Sequence, residues 1–394
     1  MPNPMPVWTR WAGDATRSAR GVLGARETIL MTSLRCTTVA IAVAAMAAAL
    51  SPAVATAGET SAAVPLTVVT GGILLSPAEI AALPTSGAAW TALLNRSNTP
   101  SGDPAQLASR GDHNKDVLSN ALVAARLNDN GRRGYVRDEI RKVITARRDV
   151  NDVLGTLRHL QTYVISADLI NLAQFDTAFD ATFRSWLTTE IRFNYSGGGG
   201  GGSVISIHNK KANNFGTHAG ATRVAADLYL GDAADLLAAS NIWKGWATGD
   251  PALQHSTRTW AGTNWQAQPS RPAGINVKGA TRDGHSLDGV IPEDQERCGE
   301  YRWPPCSTGY IHGATDGMTL AFWMLARQGY TPWEWGDRAA LRQYQWKLSV
   351  GQPAIDGFRW QIPVLNRVYG TAYGDADPKA SSTNFGYAAW WAQH

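Results

Sequence analysis

Two asparagines, Asn213 and Asn214, open the stretch "NNFGTHAG" (residues 213–220), with His218 four positions after the second. Amides donate hydrogen bonds, and the start of a helix presents further unpaired N–H groups, so such a stretch can hold a carboxylate. An imidazole in the first turn adds a group that gives or takes a proton near neutral pH. A second chemical stretch is "DGVIPEDQERCGEYRWPPCSTGYIHG" (288–313). There Arg297 follows the acidic Glu293, Asp294 and Glu296, while Tyr310 and His312 stand just ahead of an apolar helical pattern.

The elements that must position these groups are helical. Apolar residues recur at helical spacing at Leu118, Ala121, Leu122 and Ala125, and again at Leu160, Tyr163, Val164 and Ala167. Ala221, Val224, Ala225 and Leu228 form a third stripe, and Met318, Ala321, Phe322 and Leu325 a fourth. Thr217 is the expected N-cap of the third helix; Gly231 and Gly329 sit where helices end, and Asp232 can cap the next one. Strand signals are scarce, "GSVISIHN" (202–209) being the best. The glycine run of "NYSGGGGGGSV" (194–204) reads as a mobile surface loop, and the irregular stretch Pro251–Gly309 is long enough to be functional. The expected fold is mainly α: one toroid or incomplete barrel of antiparallel helix pairs, running from about Pro65 to His394.

Composition bounds the class. The 394 residues are 44% hydrophobic and 17% charged, which fits a globular chain and excludes a disordered one. From Met31, a basic start at Arg35, an apolar run and Ala55-Thr56-Ala57 read as a secretory signal peptide. Residues 1–57 are therefore expected to be a leader, and 58–394 a single secreted domain. The leader holds five arginines against Asp14 and Glu27, so it carries most of the formal charge of +4. No basic run remains to track a phosphate backbone, which argues against nucleic acid as a partner. Removal of the signal leaves no membrane segment. Two cysteines then remain, Cys298 and Cys306, and an exported chain favours a disulfide between them.

Several catalytic signatures are absent: G-x-S-x-G, H-E-x-x-H and the phosphate-binding G-x-x-x-x-G-K-[ST]. "DGHSLDG" (283–289) lacks the spacing of a nucleophile elbow and reads as loop. The combination that is present resembles the polysaccharide lyases of the alginate lyase superfamily. The resemblance rests on "NNxGxH", on the order Asp-Gly-x-x-Pro-Glu-x-x-x-Arg ending at Arg297, and on the later Tyr310 before a helix. It covers roughly Leu157 to Trp346. Two departures stand out. Phe215 occupies the place directly after the asparagines, where several members carry histidine, and a Cys-bounded loop lengthens the interval from Arg297 to Tyr310.

The resemblance implies β-elimination on a uronate polymer, alginate-like or glucuronan-like, with no metal or cofactor. The proton at C5 of a uronate is only weakly acidic beside an ionised carboxylate, so that carboxylate must be hydrogen-bonded or neutralised. A base then takes the proton and an acid protonates the departing O4. The implied roles are Asn214, helped by Asn213, on the carboxylate; His218 as base; Tyr310 as acid or as both; and Arg297 as positioning charge. His312 is a reserve base and substrate contact. Twelve of the sixteen tryptophans lie beyond residue 240, and indole faces stack on sugar rings. Trp265, Trp303 and Tyr301 are accordingly expected to touch substrate, the partner being an acidic polysaccharide and the enzyme a monomer. Two other classes compete. A glycoside hydrolase would use carboxylates from Asp283, Glu293, Asp294 and Glu296, and a non-catalytic carbohydrate binder would need only the tryptophans.

Overall fold

In a computed structural model the described residues are 72–392, apart from 103, 105, 106, 108–110, 198, 199, 263, 355, 375, 376, 380 and 383. Contacts divide the chain into Met1–Ala63 and Val64–His394, and every described residue belongs to the second unit. The expected leader, 1–57, lies outside the described residues.

The helices are α1 (Pro77–Ala82), α2 (Gly87–Ser97), α3 (His113–Leu127), α4 (Asn130–Thr145), α5 (Val153–Leu169), α6 (Leu172–Phe175), α7 (Thr177–Glu190) and α8 (Val204–Lys210). They continue as α9 (Asn214–Leu230), α10 (Ala233–Thr248), α11 (Pro292–Gln295), α12 (Gly309–Arg327), α13 (Trp335–Ser349), α14 (Gln361–Tyr369) and α15 (Ala388–Trp391). The one strand pair among the described residues is β1 (Thr281–Arg282) with β2 (His285–Ser286). The chain is mainly helical, as its periodicity predicts.

The four sequence stripes fall on α3, α5, α9 and α12, and these helices are buried nearly all round rather than on one face. A helix apolar on every side belongs inside a core. They pack in succession, α3 on α5, α5 on α9 and α9 on α12. Helices with exposed polar faces lie against them: α4 on α3, α7 on α9, and α10 on both α9 and α13. Gly231 ends α9 with φ 76°, a conformation that favours glycine, and the Asp232 carboxylate then accepts from the Asp235 N–H to start α10.

Two local expectations are corrected. "GSVISIHN" is not a strand: Ser203 and Ser206 form a reciprocal capping box, and Val204 and Ile207, three apart, bury one side of α8. The glycine run is not slack at its ends. Tyr195 and Gly202 exchange two backbone hydrogen bonds of 2.9 and 3.2 Å, and a Cβ on Gly201 would lie 2.6 Å from the Tyr195 carbonyl oxygen. Glycine there permits the close approach of two backbones.

The long irregular segment is held by buried polar staples. Glu293 accepts the N–H groups of Ala261 and Gly262 at 2.6 Å each, and Asn276 bonds both the Trp265 carbonyl and the Ala267 N–H. Cys298 and Cys306 are joined, with Cα atoms 6.2 Å apart.

Candidate functional site

The site begins at the mouth of α9. Asn213, and not Thr217, is the N-cap: its side-chain oxygen accepts the Phe215 N–H at 3.1 Å, while the Thr217 hydroxyl donates to the Asn214 carbonyl at 3.0 Å. A capping asparagine is committed to its own backbone, so Asn214 is the amide that remains. Asn214 is the first helical residue, buried, with its side-chain oxygen unpartnered. Its backbone N–H donates to the Asp294 carboxyl at 3.2 Å, so the acidic turn at α11 is fastened to the start of α9.

His218 lies one turn along the same helix and is fully buried, with neither ring nitrogen hydrogen-bonded. Burial pushes its pKa well below the ordinary histidine value, and the nearby Arg158 cation and His159 push the same way. The imidazole is therefore neutral throughout the physiological range. An unpaired buried polar group is costly in a folded protein, and Asn214 and His218 bring two such residues onto adjacent turns of α9.

Helix α12 crosses this point through glycines. A Cβ on Gly317 would fall 2.5 Å from the Thr217 carbonyl carbon and oxygen, so the two backbones touch. A Cβ on Gly313 would sit 3.7 Å from the Asn214 Cβ and 3.8 Å from His218 Nε2, which leaves a small space directly over both side chains. Tyr310 is three residues before Gly313 and seven before Gly317, on the same face of α12. It is half-buried, and the exposed Arg297 places its guanidinium 4.5 Å from the centre of the Tyr310 ring.

A further cation, Arg158 of α5, was not singled out by the sequence. Its Nε is buried without a partner, and it forms no ion pair among the described residues. Its charge bears on Tyr310 and Asp316 as well as on His218, and although burial pulls it down to about 10 it remains a cation at neutral pH. Nothing local in "GTLRHLQ" announces this role, because it follows from the packing of α5 against α9. Asp294, offered by the sequence only as a carboxylate for hydrolysis, stands at the same place. Burial holds its carboxyl well above the usual carboxylate range, the Asn214 N–H notwithstanding, and its Oδ2 is unpartnered.

The remaining expected residues are placed elsewhere. His312 is buried against Lys347, whose Nζ is 3.3 Å from Nδ1, and is stacked on Phe358. Burial, with the Lys347 charge, takes its pKa down to about 2, and its contacts with Lys347 and Phe358 form a different neighbourhood of α12. Trp265 offers no face to a sugar. It is 0% exposed, its indole N–H donates to the Gly299 carbonyl at 3.1 Å, and Tyr301 covers it edge-on. Tyr301 is half-buried and donates to the Arg282 carbonyl at 2.9 Å; Trp303 is exposed. Most described tryptophans are core, the exceptions being Trp186, Trp260 and Trp303.

Of the four carboxylates a hydrolase would use, Asp294 stands against the start of α9, and the other three lie elsewhere or hold backbone and amide groups. Glu293 clamps Ala261 and Gly262, Glu296 holds the Asn264 side chain at 3.1 Å, and Asp283 turns the β1–β2 hairpin on the surface. Two cavities, of about 730 and 290 Å³, include none of Asn214, His218 and Tyr310 in their walls. Among the described residues no helix is long and apolar enough to cross a membrane. Comparison with known proteins returns nothing: no family model matches, and neither a curated protein nor a solved structure shows significant similarity.

Proposed function

We propose that the protein is a secreted polysaccharide lyase that cleaves a uronate polymer by β-elimination, on a toroid whose inner helices include α3, α5, α9 and α12. One observation carries this reading. Asn214 and His218, both buried with unpartnered polar atoms, lie beneath the glycine face of α12 that also bears Tyr310, and the cations Arg158 and Arg297 attend that tyrosine.

In the proposed reaction the uronate carboxylate accepts hydrogen bonds from the Asn214 side-chain NH2 and from Arg158, which relieves the charge that resists enolate formation at C5. Tyr310 handles the protons: one leaves C5, the C4–O4 bond breaks as the C4–C5 double bond forms, and O4 departs protonated. His218 fits the part of a neutral hydrogen-bonding partner better than that of a base. A fully buried imidazole beside an arginine resists becoming a cation, and proton abstraction would make it one.

The test is a screen of the purified, secreted protein against alginate, glucuronan and other uronate polymers, following the ultraviolet absorbance of the unsaturated uronate ends. Products lacking that absorbance, or reducing ends released without it, would indicate hydrolysis and end the lyase reading.

A further inference from the structure

A second surface, built from the hairpin and the disulfide loop, has the form of a sugar-stacking platform. Trp303 is 39% exposed, one of few large apolar side chains so placed. Its ring is nearly parallel to that of His285, at an interplanar angle of 6° and a centroid separation of 4.2 Å. One indole face is thus covered by the β2 residue, and the exposure comes from the opposite face and the edge. Two residues earlier on the same loop, Tyr301 reaches the other strand of the hairpin. Its hydroxyl donates to the Arg282 carbonyl at 2.9 Å, and the Arg282 guanidinium lies 4.4 Å from its ring centre. Arg282 also donates to the Asn264 carbonyl, and it forms no ion pair among the described residues.

Exposing an indole on a flexible loop would lose affinity to the ordering of that loop on binding. Here the loop is ordered in advance, by the Cys298–Cys306 bond and by two separate contacts with the hairpin. A rigid, open indole stacked on His285, whose cross-strand partner Arg282 is a cation without a carboxylate partner, matches one ligand chemistry closely. The apolar face of a pyranose ring covers the indole, and a carboxylate on the same or the next sugar meets the cation. The loop is continuous in sequence with Arg297 at one end and with Thr308, the cap of α12, at the other.

We propose that Trp303, backed by His285 and flanked by Arg282, binds a uronate unit of the polysaccharide chain outside the group of residues that carries out cleavage. The identity of the occupant as the lyase substrate rests on the function proposed above; the platform itself does not require cleavage. Affinity electrophoresis through gels containing alginate or glucuronan, with a neutral glucan gel as control, reads binding without reading turnover. Wild type is expected to be retarded by a uronate gel and not by the glucan gel. Trp303→Ala is expected to weaken retardation roughly two- to tenfold, the worth of one aromatic stacking contact. Trp303→Phe should recover most of it, and His285→Ala should lose part by freeing the indole. Circular dichroism and melting of each variant separate binding loss from unfolding. Wild-type protein that passes every uronate gel unretarded, or a folded Trp303→Ala variant retarded like wild type, overturns the platform. Retardation that depends on Trp303 without release of unsaturated ends would instead sink the lyase reading and leave the platform standing.

Discussion

At the scale of single residues the candidate site is a set of polar atoms whose lack of partners has to be explained. Asn214 does little for the core with its side-chain oxygen, and His218 with two free ring nitrogens does less. Function and stability should therefore separate on substitution. Asn214→Ala is expected to lower turnover about 10²–10³-fold, the worth of one transition-state hydrogen-bond donor, with little change in melting temperature. Tyr310→Phe should be at least as damaging, because the ring still fills its place under Arg297 while the proton donor is gone. His218→Gln discriminates between roles: if the imidazole only hydrogen-bonds, an amide retains much of the activity. Steady-state kinetics on folded variants decide the matter, and full activity in both Asn214→Ala and Tyr310→Phe would leave the site without a function. The sequence made these residues legible because "NN" before a helical stripe and a tyrosine before another are local patterns. It could not show Arg158, which reaches the site only through the contact of α5 with α9. Nor could it separate Trp265 from Trp303, since an indole in an irregular segment looks the same whether it is 0% or 39% exposed.

At the scale of elements, the pairing of α9 with α12 sets the geometry, and the two glycines of α12 differ in what they permit. Gly317 touches the Thr217 backbone, so Gly317→Ala forces the helices apart and should destabilise by about 1–3 kcal/mol or more. Gly313 has room for a methyl group, and Gly313→Ala should stabilise the helix by roughly 0.5–1 kcal/mol. That methyl group would occupy the space over Asn214 and His218. A more stable and less active Gly313→Ala is therefore expected, read by thermal melting beside kinetics. A gain in stability with undiminished turnover would show that substrate does not enter there. The long helices were legible from their period, while α8 was not: the β-branched "VISI" imitates a strand, and only the serine capping box and tertiary contact make it helical.

The α9–α10 pair carries a separate pH signature. Asp227 is buried, and desolvation, with Asp235 beside it, pushes its carboxyl up to about 9. The folded chain then holds a proton that the unfolded chain has shed above about 3.8. This contribution to stability is complete below that value and declines as pH rises towards 9, at about 1.4 kcal/mol per pH unit. Asp227→Asn keeps the shape and cannot ionise. The stability difference, variant minus wild type, is expected to grow with pH between 5 and 8 in denaturant titrations. A difference that stays constant across that window would place Asp227 in its ionised form.

At the scale of the whole molecule, the question is how an irregular segment of nearly sixty residues delivers Arg297 and Tyr310 to helices fixed elsewhere. Glu293, Asn276 and Asp294 tie its first part to backbone groups. Its last part has one covalent tie. Cys298 follows Arg297 directly, Cys306 precedes the Thr308 cap by two residues, and the Gln295 amide donates to the Cys306 carbonyl at 3.0 Å. The bond thus joins the turn that carries Asp294 and Arg297 to the start of the helix that carries Tyr310. Closing so short a loop is worth about 2–3 kcal/mol on the chain-entropy account. Against the large core formed by α3, α5, α9 and α12, that loss leaves the fold intact. The geometry of the site is less tolerant, because displacement of a positioned group by ~1 Å can lower a rate on the order of 10²-fold. The double variant Cys298→Ser, Cys306→Ser is accordingly expected to melt a few degrees lower, yet to lose far more turnover than its folded fraction explains. Thermal melting and kinetics at a temperature where both proteins are fully folded make the comparison. A variant that is folded and as active as wild type would show that the staples alone place Arg297, and that the disulfide serves only the stability of the fold.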